Sequence, residues 1–293
     1  MIQSARRKRQ KRKDFMGIIG IITVLSLGGI GIFFIASSDT LDKDTMCPVK
    51  KGPNAVTAII FDKSESYSND QVTDIKTSFD SWLSGQEPTN KNRPIDLSFF
   101  NEGNLVQLYV TDQKSLNKAE GLQPIAQLCV PKDFKKAKKI ENIEFWIENP
   151  SFLEEKYNRF INVFNSEIQA LTKLKEGTSP IMETLLRLSN SKSFQSYAEK
   201  PHNVLIVSDM LQHSDNYSHY KTSEGPSWDV FEEKMKGTVF TRTRLNNVQV
   251  QVFWATRQSE RDKKLQTKKL IDFWDQFFFE ANADVSAWIL MDG

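Results

Sequence analysis

Two short runs of almost purely apolar residues constrain the fold of this chain more than any other feature. Residues 55–61 and 204–207 contain one polar side chain between them, that of Thr57. Strands without polar alternation are typical of parallel sheets that are covered by helices on both faces. Segments with helical spacing lie between the apolar runs, which favours alternating strands and helices. The sequence therefore predicts an α/β fold, a doubly wound, mostly parallel sheet flanked by helices.

Hydrophobic periodicity predicts the other elements of that fold. Apolar residues recur at spacings of three and four in Val72, Ile75 and Phe79, for example. The predicted helices are Asn69–Leu83, Ser151–Leu174, Pro180–Leu188 and Leu270–Ala281. The predicted strands are Ala55–Phe61, Pro94–Phe100, Leu105–Val110, Ile125–Val130, Val204–Val207, Val248–Trp254 and Val285–Leu290. Strands and helices thus alternate over most of the chain, as a doubly wound sheet requires.

The basic residues are concentrated at the N-terminus. Residues 1–14 contain seven of the 39 lysine and arginine side chains and one of the 37 acidic ones, which leaves 32 basic and 36 acidic residues elsewhere. The net charge of +2 therefore comes from this tail. A body with a slight acidic excess gives no indication of a nucleic-acid surface, so we expect no nucleic-acid partner.

An uncharged, apolar stretch covers residues 15–38 and directly follows the basic tail. As a helix it would extend about 36 Å, which is enough to cross a hydrocarbon core of about 30 Å. The positive-inside rule then keeps the N-terminus in the cytoplasm and places the body in the periplasm or outside the cell. We predict a single-pass signal anchor in the inner (cytoplasmic) membrane. A cleaved secretory signal, with Ala36-Ser37-Ser38 as its cleavage site, is the alternative.

These features divide the chain into four parts. Residues 1–14 form a basic cytoplasmic tail, residues 15–38 the transmembrane anchor, residues 39–54 a juxtamembrane linker, and residues 55–293 the folded body. The body contains an insertion around residues 112–149, which exceeds what the alternating strands and helices need.

Cys47 and Cys129 are the two cysteines of the sequence. A single pair in an oxidising compartment indicates a disulfide bond. The alternative is two unpaired thiols. A bond between them would attach the predicted linker to the folded body.

Three segments place oxygen-bearing side chains at the ends of strands or before a helix. They are the Asp-x-Ser-x-Ser motif at residues 62–66, Gly-Thr-Ser-Pro-Ile at residues 177–181, and Asp209. Because ligands of such sheets bind at the carboxyl ends of the strands, we expect Asp62 and Asp209 at the same edge. Carboxylate and hydroxyl oxygens are suitable ligands for Mg²⁺ or Mn²⁺. The alternative for any one segment is a helix cap or an Asx turn.

This order of motifs resembles the metal-ion-dependent adhesion site of von Willebrand factor A domains, over about residues 55–290. The resemblance implies a site for Mg²⁺ or Mn²⁺, whose candidate ligands are Asp62, Ser64, Ser66, Ser179, Thr178 and Asp209. The second loop departs from the usual glycine–threonine pattern of the family. Alignment on the following Pro-Ile favours Ser179 over Thr178 as its hydroxyl ligand.

The resemblance implies recognition of a partner rather than catalysis. A divalent ion held by two carboxylates and neutral oxygens has room for one more acidic ligand, which a partner protein could supply. We therefore expect a membrane-anchored, extracytoplasmic protein-binding module, part of a multi-protein bacterial envelope system, and not an enzyme. One alternative is a metal-free scaffold subunit of the same fold. Another is a metal-dependent phosphohydrolase with Asp62 as nucleophile, which is disfavoured because Ser64 stands where a second aspartate is expected.

A second cluster of polar residues follows Asp209. It consists of His213, Asp215 and His219 in a segment rich in serine and asparagine, which indicates a loop. We expect this loop on the rim of the metal-binding edge, where its side chains would contact a partner. Zinc binding is the weaker alternative, because a spacing of six residues does not place both histidines on one helix face.

Overall fold

The computed structural model describes residues 41–83, 97–111, 122–130, 150–173, 177–222 and 225–291. The predicted basic tail, the predicted membrane anchor at residues 15–38 and most of the insertion at residues 112–149 lie outside these ranges, so they stay predictions. Within the described ranges, no helix has both the length and the apolar character needed to cross a membrane.

Strands and helices alternate along most of the described chain. The strands are β1 (Val56–Asp62), β2 (Leu105–Thr111), β3 (Ala126–Cys129), β4 (His202–Ser208), β5 (Val248–Ala255) and β6 (Ala283–Met291). The α-helices are α1 (Asn69–Leu83), α2 (Pro150–Ala170), α3 (Ile181–Ser189), α4 (Lys192–Gln195), α5 (Trp228–Met235), α6 (Glu260–Leu265) and α7 (Lys268–Glu280). Three short 3₁₀ helices cover Leu97–Phe100, His219–Lys221 and Val239–Arg242.

The six strands form one sheet in the order β3-β2-β1-β4-β5-β6. All neighbouring strands are parallel except β2 and β3, which are antiparallel. The order proceeds from β1 to β2 on one side and from β1 to β4, β5 and β6 on the other. The predicted fold class is therefore confirmed, and the topological switch point lies between β1 and β4, where ligands of such sheets bind.

The sheet is covered on both faces because its central strands are apolar on both faces. Every residue of β1 and of β4 is buried. On one face, Ala58 and Ile60 belong to a core cluster that includes residues of α3, α5 and α7. On the other face, Ile59 and Phe61 belong to a cluster with residues of α1 and α2. This burial fixes the strands whose ends carry the acidic residues.

Residues 41–54, predicted as a linker, pack against the folded body. Met46 and Cys47 are buried, and Met46 belongs to the core cluster that contains α1 and α2. The backbone N–H of Cys129 donates to the carbonyl oxygen of Thr45 at 2.7 Å. Cys47 and Cys129 are joined by a disulfide that spans 82 positions of sequence. The segment is thus attached to β3 both covalently and by hydrogen bonding.

One strand prediction is wrong in the residues that can be compared. Alternating apolar residues predicted a strand over Pro94–Phe100, whereas Leu97–Phe100 form a 3₁₀ helix and the part before Leu97 lies outside the described residues. Side chains from neighbouring elements bind the carbonyl oxygen of Phe99: the hydroxyl of Thr57 and the amide of Asn104 both donate to it. These tertiary contacts outweigh the local alternation.

Candidate metal centre

The carboxyl ends of β1 and β4 bring two acidic residues to the switch point of the sheet. Asp62 is the last residue of β1, and Asp209 directly follows Ser208 at the end of β4. Phe61 is paired with Val207 in the parallel register, so the two strand ends lie side by side. Three loops then surround this point: the first loop after β1, the second loop before α3, and the third loop after β4.

The carboxylate of Asp62 is fully buried and accepts three hydrogen bonds. Its Oδ1 atom accepts the backbone N–H of Ser64 at 3.0 Å. Its Oδ2 atom accepts hydrogen bonds from the hydroxyl of Ser179 at 2.8 Å and from the hydroxyl of Ser208 at 2.7 Å. The donors come from the first loop, the second loop and the end of β4. Asp62 is therefore the point at which these segments are joined.

Burial and a neighbouring charge act against ionisation of Asp62. Burial in the sheet edge, followed by the charge of Asp209, raises the pKa of Asp62 from 3.8 to about 6, against the opposing effect of its three hydrogen bonds. A bound cation would favour the ionised carboxylate, because an opposite charge nearby lowers the pKa of an acid. The protein thus holds a carboxylate whose charge is poorly compensated by its own donors.

Asp209 is paired with a buried arginine. Its Oδ2 atom accepts Nε–H of Arg257 at 2.7 Å, and its Oδ1 atom accepts the backbone N–H of Leu211 at 2.9 Å. The side chains of Arg257 and Asp209 are 7% and 2% exposed. Burial is the largest single effect on the pKa of Arg257 and lowers it, but the charges of Asp209, Tyr67 and Asp62 and the hydrogen bond to Asp209 together outweigh burial and raise this pKa above the usual range. Arg257 therefore keeps its positive charge inside the site.

Tyr67 and Arg257 fix the first loop to the sheet. The hydroxyl of Tyr67 lies 3.0 Å from the carbonyl oxygens of Asp62 and Val207. The guanidinium carbon of Arg257 is 4.9 Å from the centre of the Tyr67 ring, and its Nη1 donates to the carbonyl oxygen of Ser66 at 2.7 Å. The loop is consequently held in place by protein contacts.

His213 connects the second and third loops through its backbone. The N–H of Ser179 donates to the carbonyl oxygen of His213 at 2.7 Å, and the N–H of His213 donates back at 2.9 Å. The third loop is braced in turn by Glu183 of α3, whose carboxylate accepts hydrogen bonds from Gln212 and Ser214. This network fixes the position from which the Ser179 hydroxyl reaches Asp62.

A cavity of about 390 Å³ opens over this cluster. Its lining includes Ser64, Thr178, Ser179 and Asp209 from the predicted ligand set, with Glu65 and Arg261 also contributing to its wall. The cavity gives a ligand access to the edge of the sheet where the buried carboxylates lie.

The residues present suit a small, hard cation. The Oγ atom of Ser64 is buried and has no hydrogen-bond partner among the described residues. This hydroxyl oxygen, two residues after Asp62, is therefore available as a metal ligand. Two carboxylates and several hydroxyl oxygens are the donor types that Mg²⁺ and Mn²⁺ prefer. In the described part of the chain, no three His, Cys, Asp or Glu side chains form a metal-binding group. Hydroxyls, together with water, would therefore have to complete the ligand set.

Apart from Ser64, the sequence offers three hydroxyl groups as candidate ligands, and the structure places them differently. They are Ser66, Thr178 and Ser179. Ser179 bonds directly to Asp62, whereas Thr178 lines the cavity next to it. Ser66 is tied to Arg257 through its carbonyl oxygen. Of the two alternatives in the second loop, Ser179 is thus the one that belongs to the hydrogen-bonded cluster.

The predicted rim residues are placed differently from one another. His213 lines the cavity, and Asp215 is exposed on the third loop. His219 lies in the core instead, with its ring centre 4.7 Å from that of Phe273, and burial lowers its pKa to about 3. Its side chain is therefore inaccessible to a partner, because the loop turns inward and buries it against the aromatic residues of α7.

Sequence reasoning missed Ser208 and Arg257. Ser208 immediately precedes Asp209, so its position at a strand end could have drawn attention to it. Arg257 follows β5 by two residues and reaches the same edge of the sheet as Asp62 and Asp209. A lone arginine two residues after a strand carries no sequence signal of its partner, so the tertiary structure is what identifies it.

Comparisons with known proteins identify no family for this chain. No protein-family model matches the chain, and no curated protein matches it in sequence. The structure is similar to the crystal structure of an aerotolerance-related membrane protein from Bacteroides fragilis NCTC 9343 that carries multiple mutations to serines. The identity is 13% and the TM-score 0.36, over 82% of this chain and 92% of that chain. A likeness this distant carries no argument about the site, so the function is argued from the geometry.

Proposed function

We propose that this protein is a membrane-anchored binding module that recognises a partner protein through a divalent cation. The module would be a von Willebrand factor A-like domain outside the cytoplasm, held by residues 15–38, in a multi-protein envelope system. The observation that carries the proposal is the convergence of Asp62, Ser64, Ser179 and Asp209 at one edge of the sheet, under an open cavity. Asp62 ends β1, and the other three residues come from loops that follow a strand or precede a helix at the switch point.

Mg²⁺ or Mn²⁺ would be held by Asp62 and Asp209 with the hydroxyls of Ser64 and Ser179, and Ser66 stays a candidate from the first loop. When bound, such an ion supplies a positive centre for an oxygen ligand from outside the protein. The chain's own residues position it: Ser208 orients Asp62 by donating to Oδ2, and Arg257 orients Asp209 by donating to its Oδ2. The partner's contribution would be an aspartate or glutamate side chain that enters the cavity.

A role in recognition fits the site better than phosphoryl-transfer chemistry. Asp62 is fully buried, and both of its oxygen atoms already accept hydrogen bonds. A nucleophilic carboxylate must present a free oxygen to the phosphorus atom. The burial of Asp62 therefore disfavours a nucleophilic role for this side chain.

A metal-free scaffold is the second candidate function, and the Asp209–Arg257 ion pair favours it. The guanidinium already supplies one positive charge to the cluster, so the fold does not require a cation for Asp209 to be buried. The two candidates differ in what a divalent ion does to the protein, and they can be separated by one experiment.

Thermal unfolding of the full-length protein in nonionic detergent tests the proposal, first in EDTA and then in millimolar Mg²⁺ or Mn²⁺. A cation at about 100 times its dissociation constant should stabilise the fold by about 2.7 kcal/mol, which corresponds to a rise of several degrees in Tm. Asp62→Ala should abolish the rise. Asp215→Ala, which changes an exposed acid of the third loop, should retain it. No rise in the wild type at any cation concentration would leave the scaffold as the better account.

A further inference from the structure

A buried arginine is an unusual neighbour for a site that holds a divalent cation. Arg257 donates to Asp209 through Nε and to the carbonyl oxygen of Ser66 through Nη1, and 7% of its side chain is exposed. Its Nη2 atom is buried without a hydrogen-bond partner among the described residues. The guanidinium is therefore held against Asp209 and the first loop by its hydrogen bonds and is buried from solvent.

The charge of the buried cluster depends on this residue. With both carboxylates ionised, Asp62, Asp209 and Arg257 sum to one negative charge, and a divalent ion would leave the cluster one positive charge in excess. Without the guanidinium, the two charges of the ion would equal those of the two carboxylates. Three charged residues also line the cavity wall: Glu65, Asp262 and Arg261. They border solvent, which screens their effect on the buried cluster.

A fixed positive charge changes how the cation and an outside ligand depend on each other. The guanidinium repels a divalent ion and competes with it for the charge of Asp209, so the ion binds less tightly than two free carboxylates would hold it. A carboxylate that enters the cavity offsets the excess positive charge. Coupling between two ligands is reciprocal. The bound anion therefore raises the affinity for the cation, and the bound cation raises the affinity for the anion, by the same factor.

We propose that Arg257 is a fixed internal cation that weakens binding of the divalent ion on its own and makes tight binding depend on an acidic side chain from the partner. This inference rests on the proposed cation site. Arg257 is a positioning residue here, since it acts through Asp209. The consequence is a module that keeps little metal when it is free and binds metal and partner together.

Binding of Mn²⁺ to the full-length protein in nonionic detergent, followed by the electron paramagnetic resonance signal of the free ion, tests the inference. Arg257→Gln removes the charge and should bind Mn²⁺ about tenfold more tightly than the wild type. Arg257→Lys retains the charge and should bind within about threefold of the wild type. Arg261→Gln removes an arginine from the cavity wall, where solvent screens it, and should change the affinity by no more than about twofold.

Acetate serves as the carboxylate probe, with sodium chloride at equal ionic strength as its control. Acetate should tighten Mn²⁺ binding to the wild type, and it should have less effect on Arg257→Gln. No enhancement in the wild type, or an equal enhancement in both proteins, would overturn the coupling.

Loss of the guanidinium also leaves Asp209 buried without its partner, so Arg257→Gln is the variant at risk of unfolding. If it unfolds in EDTA, its near-ultraviolet circular dichroism should recover as Mn²⁺ is added, because the ion replaces the missing charge. A variant that stays unfolded in 10 mM Mn²⁺ would show that the arginine's hydrogen bonds are what the fold needs, and the inference would be overturned.

The outcomes separate the inference from the proposed function. Mn²⁺ binding to the wild type that is unchanged or weakened in Arg257→Gln would refute the role of Arg257 and leave the cation site standing. Binding in the wild type that is detected only with acetate, together with tight binding in Arg257→Gln without acetate, would support the inference in its strongest form. Absence of binding in both folded proteins would contradict the cation site and the inference together.

Discussion

The buried charge of Asp62 makes a counterintuitive prediction about stability. Asp62→Asn keeps the shape of the side chain and removes the charge that burial and Asp209 disfavour. The amide oxygen can still accept the N–H of Ser64. The hydroxyls of Ser179 and Ser208 can rotate to accept from the amide nitrogen, since a hydroxyl both donates and accepts. Without a cation, this variant should therefore be more stable than the wild type at neutral or higher pH.

The magnitude follows from the pKa of Asp62. A rise from 3.8 to about 6 is roughly two units, or about 3 kcal/mol of stability lost when the folded protein carries the ionised side chain. The folded state binds the proton more tightly than the unfolded state, so this contribution is fully present below pH 3.8 and is lost as the pH rises through about 6. After a loss of about 1 kcal/mol from weaker hydrogen bonds, Asp62→Asn should gain about 2 kcal/mol at pH 8.

Urea unfolding of the wild type and Asp62→Asn in EDTA, between pH 4 and pH 8, measures this difference. The gain of the variant should grow as the pH rises through about 6 and then level off. Added Mg²⁺ should reverse the order, because it stabilises only the wild type. A variant that is less stable than the wild type at pH 8 in EDTA, or a difference that does not change with pH, would refute the reasoning.

Three further predictions concern the second loop, the disulfide and the buried histidine. Ser179→Ala removes a hydrogen-bond donor to Asp62 and should weaken Mn²⁺ binding at least tenfold in a binding titration. Thr178→Ala should change the affinity by no more than about twofold. Equal effects of the two variants would contradict the choice of Ser179 as the hydroxyl ligand of the second loop. Replacement of Cys47 and Cys129 by serine opens a loop of 82 residues. The free energy of unfolding, measured in urea, should fall by about 4 kcal/mol. A loss below about 1 kcal/mol would contradict a native disulfide. His219→Phe fills an aromatic site with a side chain that does not titrate. Burial lowers the pKa of His219 from 6.5 to about 3, so the histidine costs stability as the pH falls below 6.5. The stability advantage of the phenylalanine variant should therefore be larger at pH 4.5 than at pH 7.5. An advantage that does not change with pH would contradict burial of the neutral histidine.

The central strands could be predicted because their signal is strong and local. The runs at residues 55–61 and 204–207 are almost purely apolar, and the structure buries every residue of β1 and β4. Helix α1 was predicted with its observed bounds, because its apolar spacing is regular. Such elements are determined by their own residues, which is why the mostly parallel sheet, and the shared edge of Asp62 and Asp209, could be predicted from the sequence.

Other elements depend on contacts between segments that are distant in sequence. The alternation over Pro94–Phe100 predicted a strand, but Leu97–Phe100 form a 3₁₀ helix whose Phe99 carbonyl oxygen accepts a hydrogen bond from Thr57, 42 positions away. The short helix α5 lacks enough turns to give a clear periodicity, and it was not predicted. His219 was placed on the rim because its neighbours are polar, whereas the fold turns it into the aromatic core.

The candidate site was only partly readable from the sequence. Asp62, Ser64, Ser179 and Asp209 could be identified because strand ends and hydroxyl loops have a recognisable order. Arg257 could not be, because a lone arginine gives no indication of its partner until the fold brings it to Asp209. The charge balance of the candidate site, which comes from Asp62, Asp209 and Arg257, is therefore a property of the tertiary structure.

The most direct test of the central claim is the number of Mn²⁺ ions bound per chain, measured by electron paramagnetic resonance in the presence of acetate. The account predicts one ion in the wild type, one in Asp215→Asn and none in Asp62→Asn. A wild-type protein that binds no Mn²⁺ at millimolar concentration, or an Asp62→Asn variant that binds as much as the wild type, would contradict a cation site at the carboxyl ends of β1 and β4.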